Sequence, residues 1–212
     1  MMLLNDISTM DTDQESMIKI RDAYVYDLFE SVKASKFPMA VHASYADTVI
    51  TATQLRLANA TPGSGHDNYL QGIHVAFTMD ITVKALVEAE RYHFLEIVSS
   101  TSTMHRITSF DLNECYCKYV DPRMISVMNE LVCEYNEMAP DDPRRDEQYL
   151  KILYSNPCGF TYTIRFTTNY RQLKTIYNQR RNHRLPEWRE FCRWIEGLPY
   201  SEFITGKKGE AK

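Results

Sequence analysis

The sequence contains no long hydrophobic run and no strong excess of charge of either sign. No apolar stretch approaches the roughly 20 residues of a membrane-spanning helix. The first residues, M-M-L-L-N-D-I-S, lack the basic segment and cleavage pattern of a signal peptide. A net charge of −4 gives no overall attraction for nucleic acid or for an acidic membrane. These absences predict a soluble, cytoplasmic protein whose partners include neither a membrane nor a nucleic acid.

Paired cysteines and internal repeats are also missing. Among five cysteines, Cys115 and Cys117 form C-x-C, but the chain has no C-x-x-C pair and no matching histidine spacing. We therefore expect five reduced thiols and no metal site. The 212 residues, 44% of them hydrophobic, are enough for a substantial core. We expect one domain over residues 1–212, with a short helical region at its start and a flexible tail at 206–212.

The spacing of apolar residues predicts most of the secondary structure. Steps of three and four residues predict helices, and strict alternation with polar residues predicts half-buried strands. Strands are expected over Met39–Tyr45, Val75–Ile81 and Phe160–Phe166, and a tight turn over Thr61–Gly65. Helices are expected over residues 13–33, 53–60, 83–97, 122–138, 169–182 and 186–196, with a break and possible linker at 139–143.

The stretch from Ser99 to Tyr119 fits neither periodicity. It reads S-S-T-S-T-M-H-R-I-T-S-F-D-L-N-E-C-Y-C-K-Y, rich in hydroxyl groups and containing the pair His105–Arg106. One interpretation is a loop-to-helix junction that presents hydrogen-bond donors to an anionic ligand. The other is a solvated loop whose Ser and Thr side chains cap the next helix.

Two predicted helices carry patterns with two interpretations each. The apolar stripe from Met124 to Met138 fits either a core face or a seam for a partner helix. Arg180 shares the face of Leu173 and Ile176, so its charge must reach water or an anion. Seven Arg or Lys residues stand against two Glu between residues 171 and 193. This segment is either a solvated basic face or a phosphate site.

Several blocks resemble a known family. H-R-I-T-S-F at 105–110, followed by N-E-C-Y-C-K-Y at 113–119, resembles the R-H-R-x-x-S-x-N-E-x-S-x-R-Y signature of the flavin-dependent thymidylate synthases. H-D-N-Y-L-Q-G-I-H-V-A-F-T-M at 66–79 is similar to that family's H-x-x-x-x-E-H-x-x-F-T-F segment. Residues 168–188 contain N-x-R-x-L followed by arginines and a tryptophan, as in the family's third block. The blocks keep the family's order.

The chain also departs from the family's pattern. A methionine, Met104, replaces the first arginine of R-H-R, and Asp111 and Leu112 are additional residues. The remaining replacements are Tyr116 for serine, Lys118 for arginine, and Gln71–Gly72 for the glutamate–histidine pair. These changes keep a phosphate-binding surface and alter the groups expected to take part in catalysis.

The resemblance implies a fold, an assembly and a reaction. The fold is α/β (α+β), with a central, mostly antiparallel sheet flanked by helices, and the subunits form a homotetramer. FAD lies across subunit interfaces beside deoxyuridine monophosphate (dUMP). Methylenetetrahydrofolate supplies the carbon unit and NADPH reduces the flavin, so that dUMP becomes thymidylate (dTMP).

The resemblance also assigns residues to the two ligands. The expected FAD-binding residues are His66, His105, Arg106, Asn169, Arg171 and Thr175. The expected nucleotide-binding residues are Glu114, Tyr116, Lys118 and Arg180, with Arg181 as an alternative because one additional residue precedes Trp188. Glu114, Tyr116 and Arg180 are the expected catalytic residues.

Two other functions fit the same residues. Met104 and Tyr116 are compatible with a related flavin- and folate-dependent reaction that forms another 5-substituted pyrimidine, such as hydroxymethyl. A catalytically silent homologue that binds a nucleotide, or a nucleic-acid-binding module that uses the basic segment, belongs to a different class. Flavin absorbance of the purified protein separates the enzymes from this second class.

Overall fold

The computed structural model describes residues 2–3, 16–61 and 63–207, and a sheet lies at its centre. Its strands are Met2–Leu3 (β1), Lys19–Tyr26 (β2), His74–Thr82 (β3), Glu96–Ser100 (β4) and Thr161–Asn169 (β5). The strand order is β1-β2-β3-β5-β4, and every neighbouring pair is antiparallel. The expected antiparallel sheet flanked by helices is therefore confirmed.

The helices are short, apart from one of 16 residues. They are Leu28–Ala34 (α1), Ala52–Ala58 (α2), Val83–Ala89 (α3), Thr103–Arg106 (α4), Pro122–Glu137 (α5), Arg145–Ser155 (α6), Tyr170–Arg180 (α7), Pro186–Glu196 (α8) and Glu202–Thr205 (α9). Single 3₁₀ turns occur at Phe37–Met39, Ala43–Tyr45, Asn68–Gln71 and Ile107–Ser109. In the described ranges, no helix is both long and apolar enough to cross a membrane.

Alternation along β3 and β5 gives the sheet two different faces. Phe77 of β3 and Phe166 of β5 are buried and stack at 5.6 Å between ring centroids, beneath Trp194 of α8. On the opposite face, Thr163 donates a hydrogen bond to Asp80 at 2.6 Å, and Arg21 donates two more to the same carboxylate. One face thus holds the main core with α7 and α8, and the other is polar.

A second hydrophobic cluster lies at the N-terminal end of β5, around Phe160, the residue that directly precedes this strand. Met128 and Leu131 of α5 pack with Ile152 of α6 and with Phe160. The methionine stripe is thus largely intramolecular core, although Met124 stays exposed. The expected linker at 139–143 is a tight connection between α5 and α6, because the Arg145 guanidinium donates to the carbonyl oxygen of Met138 at 2.8 Å.

The helix predicted from Asp13 to Lys33 is wrong over residues 16–27 and confirmed over residues 28–33. Residues 19–26 form β2, which pairs with β3 and contains a bulge where Asp22 has φ of 51°. The bulge shifts the alternation, so that apolar residues recur at intervals that also fit a helix. Only α1 remains helical, after Asp27 at φ of 61°. Residues 4–15 of the expected helical region lie outside the described residues.

Two further predictions are corrected. The segment Met39–Tyr45, expected to be a strand, instead connects two 3₁₀ turns, Phe37–Met39 and Ala43–Tyr45. Its large apolar side chains are exposed. Alternation alone does not make a strand, because a strand also needs a partner edge. The helix expected to reach residue 97 ends at Ala89, and Ile97 belongs to β4. Helix α6 was not predicted, since its apolar stripe is short.

Six predicted elements are confirmed with small shifts in their ends. They are α2, β3, α5, β5, α7 and α8. The Asn169 side chain caps α7 by accepting a hydrogen bond from Gln172 N at 2.9 Å. The expected tail lies outside the described residues from 208 onward, whereas Lys207 pairs with Glu196 at 2.6 Å.

Candidate functional site

The polar stretch from Ser99 to Tyr119 runs along the beginning of β5. After β4, Thr101 N donates to Thr163 O at 3.0 Å, and farther on Thr161 N donates to Cys115 O at 2.8 Å. Ser102 precedes α4 but makes no side-chain capping bond. Thr101 and Thr103 instead bond to β5, since the Thr101 hydroxyl accepts from Thr163 N at 3.2 Å and the Thr103 hydroxyl lies 2.7 Å from that of Tyr162. Part of the polarity of this stretch therefore joins it to the sheet.

His105 and Arg106 are exposed at the end of α4. Across the described residues, neither side chain has a hydrogen-bond or ion-pair partner. Their donors are thus available to a ligand or to another chain. A guanidinium suits phosphate oxygens because it can donate two parallel hydrogen bonds.

The other expected flavin-binding residues gather at the far end of β5. Asn169 caps α7 and is buried, and Arg171 lies in the first turn of that helix. Arg171 Nε is 3.5 Å from a carboxylate oxygen of Asp67. His66 is exposed in the preceding turn, and Thr175 is exposed one helical turn after Arg171, to whose carbonyl oxygen it donates at 3.3 Å.

The two groups of donors are far apart within one chain. Thr163, beside the start of the α4 segment, and Asn169 are six residues apart on β5. At a rise of about 3.3 Å per strand residue, this corresponds to about 20 Å. The backbone segments that carry the two groups therefore border opposite ends of β5 in one protomer.

The expected nucleotide-binding residues of the central stretch have different environments. Glu114 and Lys118 are exposed, and the Lys118 ammonium lies 5.7 Å from the Tyr119 ring. The Tyr116 hydroxyl donates to Asn156 at 2.8 Å, and its ring packs against Phe160. Burial raises the pKa of Tyr116, so its phenol stays neutral at physiological pH.

Arg180 is held by groups that the sequence analysis missed. Its Nε donates to the Tyr92 hydroxyl at 2.8 Å, and its Nη1 donates to Glu88 at 2.9 Å. The guanidinium also lies 4.9 Å from the Trp188 ring. The anion that this buried charge requires is therefore a carboxylate of the same chain. Periodicity could not identify Glu88, because it is 92 residues away in the sequence.

Arg181 has a different environment from its neighbour. It is exposed, and its guanidinium lies over the Tyr177 ring at 5.8 Å. Helix geometry explains the difference, since successive side chains point about 100° apart. The structure thus separates one enclosed arginine from one exposed arginine at the end of α7.

Glu88 is the electrostatic centre of this cluster. Burial alone would raise its pKa, but hydrogen bonds from Trp188 and Lys84 and the charges of Arg180 and His183 outweigh burial. The net effect holds the pKa of Glu88 below its usual value. The carboxylate therefore remains charged and fixes Arg180 against Tyr92 and Trp188.

Comparison with solved structures finds proteins of similar fold. No family model and no curated protein matches the sequence significantly. The structure is similar to Helicobacter pylori thymidylate synthase X (ThyX) with FAD and dUMP, at a TM-score of 0.64 and 12% identity, covering 89% of this chain and 95% of that one. It is also similar to PolB, a UMP/dUMP methylase from Streptomyces cacaoi bound with 5-bromo-dUMP, at 0.59 and 14%, covering 91% and 96%.

These similarities define the class of fold. The match extends over about nine tenths of the chain in both cases. The chain therefore has a ThyX-like fold, as the three sequence blocks predicted.

Replacing Glu88 by Gln should lower the free energy of unfolding by about 1–3 kcal/mol at pH 7, because Arg180 loses its counter-charge while mostly buried. The lowered pKa makes this contribution present above the usual carboxyl value of 4.5 and lost as pH falls through the folded value. Denaturant titrations of both proteins from pH 7 to pH 3 should show the difference shrinking. Glu30→Gln, at an exposed pair with Lys33, is the control and should change stability by less than about 0.5 kcal/mol. A constant difference across this range would contradict the assignment.

Proposed function

We propose that this protein is a flavin-dependent enzyme that converts dUMP to dTMP, with methylenetetrahydrofolate as carbon donor and NADPH as reductant. The observation that carries the proposal is a shared fold, over 89% of this chain, with a thymidylate synthase crystallised with FAD and dUMP. The exposed donors on α4 and the half-buried Arg171 in the first turn of α7 support it, since they occur where the sequence blocks of that family lie.

The residues present fit the chemistry of FAD. His105, Arg106 and the outer nitrogens of Arg171 have no partner within the described ranges and can donate to phosphate oxygens. The segments that carry the two groups border opposite ends of β5, Thr163 and Asn169 being about 20 Å apart along the strand, and we propose that each flavin takes one group from each of two copies. The proposed assembly is a homotetramer in which each flavin site is shared between subunits.

Arg180 suits a neutral acceptor better than a phosphate. Its Nη2 nitrogen has no partner among described residues, whereas Nε and Nη1 are occupied. Glu88 already neutralises its charge, so a phosphate dianion would gain little additional attraction. A carbonyl oxygen of uracil, on which charge develops during attack at the ring, is the acceptor that this nitrogen can stabilise. Lys118, exposed on the central stretch, is proposed to attract the phosphate.

Bound FAD supplies hydride transfer, and the protein supplies position and electrostatics. Glu114, exposed on the central stretch, is proposed to bind the nucleotide. The proposed role of Tyr116 is to accept a hydrogen bond from substrate, because its proton already goes to Asn156. Chemistry by positioning requires no cysteine nucleophile, and the five cysteines are free thiols, with burial raising the pKa of Cys115.

A different 5-substituted pyrimidine nucleotide is the second candidate product. The similar protein PolB is a methylase of UMP as well as dUMP, so this fold is compatible with more than one nucleotide substrate. Tyr116, in place of the family's serine and fixed by Asn156, also changes the surroundings of the reacting ring.

The purified protein should bind FAD and then convert dUMP in the presence of methylenetetrahydrofolate and NADPH. Flavin fluorescence quenching measures the first step, and mass spectrometry of the nucleotide measures the second. A mass increase of one methyl group supports thymidylate formation, whereas a hydroxymethyl product or a preference for UMP supports the second candidate. Failure to bind FAD at micromolar concentrations would contradict both.

A flavin site shared between copies predicts complementation. Arg106→Ala and Arg171→Ala proteins should each lose flavin, because each removes one donor from every site. Co-expression of the two variants in equal amounts should restore about one quarter of all flavin sites, since random assembly brings an intact Arg106 and an intact Arg171 together that often. Flavin content per protomer, with light scattering for oligomeric state, measures the result. Absence of recovery in mixed oligomers would place both donors in one protomer or remove one from the site.

Arg180→Lys should weaken dUMP binding by about 1.5–3 kcal/mol, the scale of a hydrogen bond to a charged group. Lysine cannot reach Glu88, Tyr92 and a ligand with one ammonium. Arg181→Lys is the matched control and should bind dUMP like the parent. Calorimetric titration into flavin-loaded protein compares them, and the opposite ranking would assign the role to Arg181.

A further inference from the structure

A buried carboxylate lies beside one of the proposed flavin ligands. Asp67 is 7% exposed, and its Oδ2 accepts a hydrogen bond from Lys174 Nζ at 2.8 Å. Its Oδ1 is 3.5 Å from Arg171 Nε. Lys174 is fixed from its other side by the carbonyl oxygen of Ala58 at 2.5 Å. The carboxylate therefore has a fixed orientation, with one oxygen directed at each cation.

The position of Asp67 is set by the turn that precedes it. Gly63 and Gly65 have φ of 85° and 77°, values that residues with a side chain rarely adopt. The turn then continues into the 3₁₀ turn Asn68–Gln71, where Leu70 N donates to Asp67 O. Tyr170 N donates to Ile73 O at 3.0 Å and joins this segment to the start of α7. Backbone geometry thus fixes Asp67 against the first turn of α7.

This arrangement occupies only part of the hydrogen-bonding capacity of the Arg171 guanidinium. Its Nε edge faces Asp67, and its two Nη nitrogens have no partner within the described part of the chain. Cations in the first turn of a helix are disfavoured by the helix dipole, and a carboxylate there is favourable. One carboxylate between two cations leaves one net positive charge. The free edge of Arg171 is then both oriented and electropositive.

We infer that Asp67 is a positioning residue for flavin binding: it holds the Nε edge of Arg171 so that both Nη nitrogens are directed to the pyrophosphate. The inference rests on the proposed function, since it assumes that Arg171 contacts FAD. Asp67 itself, as a carboxylate, does not contact the phosphates. Lys174 contributes by fixing the carboxylate that holds Arg171.

Asp67→Asn distinguishes positioning from simple charge compensation by the sign of its effect. The variant raises the local charge by one unit, so electrostatics alone would tighten the binding of a pyrophosphate. Loss of positioning weakens it instead. We expect the FAD dissociation constant to rise on the order of 10-fold, measured by fluorescence quenching on protein whose circular dichroism matches the parent.

The double variant Asp67→Asn/Lys174→Met keeps the local charge of the parent and avoids a buried unpaired ammonium. It should therefore fold and should still weaken FAD binding on the order of 10-fold. In an Arg171→Ala background, whose weaker FAD binding is titrated at correspondingly higher FAD concentrations, the same two changes should have no further effect, because the residue that they position is gone. This cycle isolates the part of the effect that acts through Arg171.

The outcomes separate this inference from the proposed function. Unchanged or tighter FAD binding by the double variant overturns the inference, as does an equal loss with and without Arg171. If Arg171→Ala itself binds FAD like the parent, the inference fails while flavin binding stands. A parent protein that does not bind FAD overturns the proposed function instead.

Discussion

The pairing of β3 with β5 is the constraint on which the rest of the structure depends. Nine residue pairs, from His74 with Asn169 to Thr82 with Thr161, align the two strands over their whole length. This register directs Phe77 and Phe166 to the helices and Asp80 and Thr163 to the polar face. A shift by one residue would exchange the two faces and bury the carboxylate of Asp80 without partners.

The same pairing decides where the candidate ligand-binding groups can lie. The polar stretch from Ser99 to Tyr119 borders the start of β5, and α7 begins directly after its end. The segments that carry the two groups of donors therefore lie at opposite ends of β5. Helix α4 is joined to β5 through the hydroxyl groups of Thr103 and Tyr162 at 2.7 Å, and Tyr170 N joins the first turn of α7 to Ile73 O. The backbone that carries the donors therefore has a defined position before any ligand binds.

The sequence predicted those parts of the fold in which one local signal is sufficient. Helix α7 has both a capping residue, Asn169, and a regular apolar face, and α5 begins with the pair Asp121–Pro122. It did not predict β2, since the bulge at Asp22 breaks the alternation by which a strand is recognised. In the candidate site, the sequence singles out Arg180 because it is a charge on an apolar helix face, whereas Arg171 is assigned by the family resemblance. Their acidic partners, Asp67 and Glu88, were missed because each meets its arginine only after the chain has folded.

A flavin site shared between two copies would have a thermodynamic consequence for the cell. If a flavin must bridge two copies, cofactor binding and assembly are linked, and each stabilises the other by mass action. Dilution would then release flavin even when the concentration of free flavin is constant. The amount of holoenzyme would rise more steeply than the amount of protein, and expression level would act as a threshold for activity.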